Sequence, residues 1–187
     1  VIESRGLGDV YKRQVKGDLF ANDLESGLCK LENGKFQQVP GWEITAEKTI
    51  TATLSFDDST VLFTSLKSGV FLYDGKGVRE WEFPGSQFLK ENRIYCAIAL
   101  NDQEIAMGTT QAGLVIVDKK GRVTRHISKE EGLQNNTVLA LFLDKNSDLW
   151  LGLDNGIDLV LLNSPYTMVY PDGGLEGTAY TCLLYTS

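Results

Sequence analysis

Short apolar runs recur along the chain, each closed by Asn, Asp, Ser or Gly. The clearest cycle is EGLQNNTVLALFLDKNSDLWLGLDNGID, residues 131–158. An apolar run over Val138–Leu143 ends on Asp144, and a polar turn follows over Lys145–Asp148. A second run, Leu149–Leu153, carries Trp150 and Gly152. The turn Asp154-Asn155-Gly156 then opens a third run, Ile157–Leu162. Runs of this length between turn-forming residues predict strands joined by hairpins.

The cycle repeats, and a glycine after each second run measures its period. Gly27, Gly69, Gly113 and Gly156 stand 42, 44 and 43 residues apart. A strand is predicted before each: Asp18–Ala21, Val61–Thr64, Glu104–Met107 and Leu149–Gly152. Another follows each glycine, and then a fourth run of alternating polarity: Lys35–Val39, Val78–Phe83, Arg122–Ile127 and Tyr166–Tyr170. Opening runs at 49–57, 93–101 and 136–144 precede three of the units. Glycine suits the repeated turn because it accepts positive φ without steric cost.

A four-stranded unit recurring every 40–50 residues is the mark of a β-propeller blade. A β-sandwich also gives evenly spaced short strands, but not a sequence echo at this period. The pattern predicts an all-β chain of about four consecutive four-stranded blades, an open arc of a larger ring. The opening strand of each unit is the most apolar and is expected to lie innermost, buried between neighbouring sheets, with the alternating strand outermost.

The two ends read differently. Residues 4–14, SRGLGDVYKRQ, and 182–187, CLLYTS, match translated sequencing-adapter DNA. The transposase end used to prepare sequencing libraries translates as DVYKRQ in one orientation and as CLLYTS in the other. Residues 1–14 and 182–187 are therefore expected to be adapter-derived, and 15–181 to be a natural propeller segment cut from a longer gene. The first blade is expected to have lost its inner strand to the adapter. Blade faces and strand edges left uncovered at the cut predict self-association.

Composition narrows the partners. The net charge is −7, and residues 15–181 alone, with 15 basic and 23 acidic side chains, carry −8. An acidic surface argues against direct contact with nucleic acid or anionic membrane. No apolar run is long enough to span a bilayer, so no membrane insertion by this segment is expected. Cys29 and Cys96 fall in predicted strands of different blades and read as small buried hydrophobes.

Side chains with chemical potential are read against their ordinary structural roles. Trp150, mid-strand among apolar neighbours, is expected to pack between blades. Trp42, in VPGWEIT between two blades, is the better surface aromatic for a ligand. His126 is the single histidine, with neither triad partners nor metal-ligand spacing around it. Gly108–Gly113 superficially suggests a phosphate loop but lacks the Lys-Ser/Thr pair and a following helix. Asp57-Asp58 and Glu130-Glu131 fall at turns, and Asp154-Asn155-Gly156 has no calcium-loop spacing. No catalytic, metal or cofactor site is assigned, and the ligand-binding residues are unknown.

Over NTVLALFLDKNSDLWLGLDNGID the chain resembles the two-component regulator propeller repeat of bacterial sensors, notably those of Bacteroidetes. That repeat reads D-x-x-G-x-L-W-[IVL]-G-T, then a short turn and a glycine. Asp144, Leu149, Trp150, Leu151, Gly152 and Gly156 match it; Ser147 replaces the usual Gly and Leu153 the usual Thr. Gly108-Thr109 restores the Gly-Thr pair one blade earlier, and Gly132-Leu133 with Asn136-Thr137-Val138 resembles the family's lead-in. Residues 163–181 resemble members in which a triple-tyrosine domain follows. The resemblance implies an extracytoplasmic, periplasmic ligand-sensing domain of a regulator, with a homodimeric parent expected and a glycan fragment as a candidate ligand. It also implies partner regions in the same chain: further blades and an output domain, a histidine kinase or a DNA-binding module. Two alternatives stand beside it, a protein-interaction scaffold and a propeller-fold carbohydrate-active enzyme. The Gly-His and Trp-Asp pairs of WD repeats are absent, and the sialidase Asp-box spacing does not fit.

Overall fold

The computed structural model describes residues 11–23 and 25–164. Their strands form four antiparallel sheets, each ordered as in the chain. The first holds β1 (Tyr11–Val15), β2 (Asp18–Asp23), β3 (Gly27–Glu32) and β4 (Lys35–Gln38). The second holds β5 (Ile50–Ser55), β6 (Val61–Ser65), β7 (Gly69–Tyr73) and β8 (Val78–Glu80). The third holds β9 (Ile94–Ala99), β10 (Glu104–Thr109), β11 (Leu114–Asp118) and β12 (Val123–Ile127). The fourth holds β13 (Val138–Leu143), β14 (Leu149–Leu153) and β15 (Ile157–Val160). The strand expected over Tyr166–Tyr170 lies outside the described residues. Consecutive sheets meet along their first strands: β1 against β5, β5 against β9, and β9 against β13.

All four repeat glycines adopt positive φ: 64° at Gly27, 82° at Gly69, 75° at Gly113 and 105° at Gly156. At Gly113 space forbids a side chain too, since a Cβ there would fall 2.2 Å from the Ile127 carbonyl oxygen.

Three apolar layers bind the four sheets, and strand alternation builds them. Phe63 points back toward Phe20 and Leu28 of the first sheet, with the Phe20 and Phe63 rings edge to face at 5.5 Å. Its neighbour Leu62 points forward to Ile94 and Ile105 of the third. Ala106, Leu114 and Ile116 meet Val138, Leu149 and Leu151 of the fourth. Each fully buried Leu or Phe contributes roughly 1.5–3 kcal/mol.

The structure corrects two expectations. First, β1 is present and paired with β2 from Tyr11↔Asn22 to Val15↔Asp18, although Tyr11–Gln14 lie in the adapter-like stretch. The open edge of β2 offers unpaired backbone groups that extended chain can satisfy whatever its side chains. Second, the most buried strands are the middle ones. Every residue of β6, β7 and β11 is buried, whereas β5 alternates between buried and partly open. The middle strands of the two central sheets have a partner on each edge and a sheet over each face; an innermost strand has one free edge. The connections between sheets carry helical turns. A 3-10 turn covers Trp42–Thr45, and α1 covers Ser86–Asn92. Leu89 of α1 is fully buried in the layer between the second and third sheets. Lys90 pairs with Glu80 and lays its alkyl chain over Gly69.

Candidate functional site

Antiparallel succession gives the arc two unlike faces. Each innermost strand starts on the face that also carries the hairpin between second and third strands and the connection to the next sheet. The opposite face, among the described residues, carries only tight hairpins. On the connection face, hairpin tips are tied to the start of their own sheet at equivalent positions. Leu66 N–H donates to the Thr49 carbonyl (2.9 Å), Thr110 N–H to Arg93 (3.1 Å) and Asp154 N–H to Thr137 (3.1 Å).

The opposite face is organised by side-chain acceptors. Asp57 Oδ1 accepts from the Ser59 and Thr60 amides, Asn101 Oδ1 from Gln103 and Glu104, and Asp144 Oδ1 from Asn146 and Asp148. Asp74 and Asp118 do the same after the third strand. Backbone amide donors, the largest cause in each case, hold the carboxyls of Asp57, Asp74, Asp118 and Asp144 below their usual range. These groups close turns. Glu131 likewise accepts from the Ser128 amide at 2.7 Å.

Two concave surfaces carry chemistry. On the connection face, Gly41 in the left-handed region opens the Trp42–Thr45 turn. Thr45 Oγ1 accepts from Leu28 N–H (2.9 Å) and donates to the Trp42 carbonyl (2.8 Å), which pins the turn to β3. Trp42 is half-buried, and with Glu25, Glu43, Ala46 and Glu47 it lines a cleft of about 550 Å³. The three carboxylates beside the indole can accept hydrogen bonds from hydroxyls or attract a cation. The second surface runs along the innermost strands, where Thr51, Ala52, Cys96, Ala97 and Ala140 border an opening of about 340 Å³. None of the described residues lining it is charged.

The remaining candidates are structural. His126 Nε2 bonds the Ala112 carbonyl at 2.7 Å, and its ring meets Phe88 edge to face. Within Gly108–Gly113, Thr109 Oγ1 donates to the Gly113 carbonyl and accepts from Ala112 N–H, so the loop is a self-satisfied hairpin. Cys29 is buried, Cys96 is partly buried, and both are free thiols; burial pushes the Cys96 thiol up to about 12.

Trp150 corrects an expectation. It is exposed rather than packed between sheets. Yet it occupies the position of Leu62 and Ala106 in the two preceding sheets, each of which faces the next sheet. Its own outward face has no sheet against it among the described residues. Phe142 (65% exposed), Ile157 (66%) and Leu159 share that face.

No protein-family model matches the chain. A stretch of 120 residues, 60% of the chain, is 29% identical to Histidine kinase P4 of Formosa agariphila, of which it spans 9%. The WD40 β-propeller domain of Doa1 has the same fold over 75% of this chain and 45% of that one, with a TM-score of 0.55 at 14% identity. The chain is an arc of a β-propeller. Its four sheets are blades. The extracellular domain of BT4673 from B. thetaiotaomicron, assigned to a hybrid two-component system, matches with a TM-score of 0.64 at 21% identity. That match covers 83% of this chain and 22% of the other. These relatives agree with the two-component propeller resemblance of the repeat. No helix among the described residues is long and apolar enough to cross a membrane.

Proposed function

We propose that these blades belong to the extracytoplasmic ligand-sensing propeller of a bacterial signal-transduction regulator, with residues 15–181 as its natural part. The observation that carries the reading is the 29% match over 120 residues to a histidine kinase. The fold shared with an extracellular two-component domain supports it. In this reading further blades cover the apolar face around Trp150, and an output domain of the same chain receives the signal. The ligand, with a glycan fragment as the first class to try, binds on the connection face, because longer irregular segments on a rigid scaffold are the usual place for recognition. A ligand can switch the output only if it binds two arrangements of the domain with different affinity.

The test is transcript profiling of the source bacterium on a panel of polysaccharides, with and without an in-frame deletion of the third blade. The reading expects one polysaccharide response to disappear while the regulator is still made. Unchanged responses to every polysaccharide, with the protein present, would count against it.

A further inference from the structure

We infer that a single buried water bridges the first and second blades at Asn22. Asn22 lies in β2, five residues before Gly27, and is 5% exposed. Its Nδ2 donates to the Lys48 carbonyl of the connection to the second blade at 2.9 Å. Its Oδ1 has no hydrogen-bond partner among the described residues. Turning the amide over is no remedy, since Oδ1 would then face the Lys48 oxygen, acceptor against acceptor. A buried acceptor left unpaired is unfavourable, and ordered water is the usual partner where protein supplies none.

The space fits that one molecule. A cavity of about 10 Å³ adjoins Asn22, walled by Phe20, Leu28 and Ile50. That is about one water-sized sphere and excludes any organic ligand. A buried water needs two or more polar partners. Thr51 lines the same cavity, and the register of β5 on β6 shifts there between Ile50 and Ala52. The extra residue of such a bulge drops out of the ladder, leaving its backbone groups for the water.

The second and third blades close the equivalent position with protein groups. Five residues before Gly69 stands Thr64, whose Oγ1 lies 2.9 Å from Thr51 Oγ1; that hydroxyl also reaches the Ile94 carbonyl of the third blade at 3.0 Å. Five before Gly113 stands Gly108. Cys96 Sγ fills the space there, where a Cβ would come within 2.6 Å of it, and donates to the Val138 carbonyl of the fourth blade. Direct bonds cross those two seams, and among the described residues the first seam alone presents an open acceptor to a hole of water size.

The test is a crystal structure of the full chain showing ordered solvent, from crystals grown with and without rubidium, alongside Asn22→Thr. The inference expects one solvent peak at hydrogen-bond distance from Oδ1, no anomalous rubidium signal, and loss of the peak in Asn22→Thr with the fold kept. An empty cavity among otherwise ordered solvent would overturn it. So would a rubidium peak, which would make the occupant a cation, or Oδ1 bonded to a protein donor.

Discussion

The indole Nε1 of Trp150 donates to Oδ2 of Asp144 at 3.2 Å, across the hairpin that joins β13 to β14. The same carboxylate closes the turn below through Oδ1. Two motif residues six apart thus form one device: the Asp shapes the turn, and the Trp caps the Asp. Ser147 sits inside that turn at φ 63°, where the family repeat has glycine.

Ser147→Gly should therefore stabilise the chain. A left-handed non-glycine residue is strained by roughly 1–2 kcal/mol, and glycine's greater freedom when unfolded returns part of that gain. The expected net change is about 0.5–1 kcal/mol, read as a raised melting temperature. A lowered one would show that the turn needs the serine.

Glycine substitutions should separate strain from collision. Gly34 and Gly113 both have positive φ, but a Cβ on Gly34 meets nothing within 4 Å whereas one on Gly113 strikes Ile127 O. Gly34→Ala should cost about 1–2 kcal/mol, from conformation alone. Gly113→Ala should cost clearly more, because the β11–β12 backbone must also shift. Equal losses in thermal or urea melts would refute the difference.

Acid should loosen the tight-hairpin face. Asp57, Asp74, Asp118 and Asp144 are held below the usual carboxylate range by amide donors. With folded values depressed, their stabilisation is complete above the unfolded value of about 4 and is lost as pH falls through the folded values. Melting temperature should be flat from neutral to about pH 5 and then decline below about pH 4. Asp144→Asn should reduce the acid slope while leaving the turn formed.

The outward face of the last blade should drive self-association. Phe142→Lys with Ile157→Lys places two charges on it without touching the buried Leu149 and Leu151 beneath. Light scattering after size exclusion should show the parent associating and the double variant shifted toward monomer. A parent that is already monodisperse would place the apolar face outside the cause of aggregation.

Much of this was legible because it is periodic. The spacing of Gly27, Gly69, Gly113 and Gly156 located four hairpins, and each proved left-handed. What was not legible depends on contacts between units. Helix α1 is only seven residues long and is fixed by burial of Leu89, which no local pattern declares. The inner strands are apolar in sequence yet half-open, because exposure follows their place in the ring. Trp150 has an inter-blade position and no blade against it, so its environment could not be read from its neighbours in sequence. The turn acceptors Asp74, Asp118 and Asn101 recur at strand ends, which is a usable signal in the sequence. The Trp42 cleft needed Glu25 and Glu47, 17 and 5 residues away, to be brought alongside the indole.

The most direct test of the sensor account is to reread the parent gene across both ends of this sequence, from DNA prepared without transposase. The account predicts that the frame runs on through more units of about 43 residues, then a membrane segment and a kinase or DNA-binding domain. A frame that starts at Val1 or stops at Ser187, or that runs into a domain of convergent catalytic acids, would contradict it.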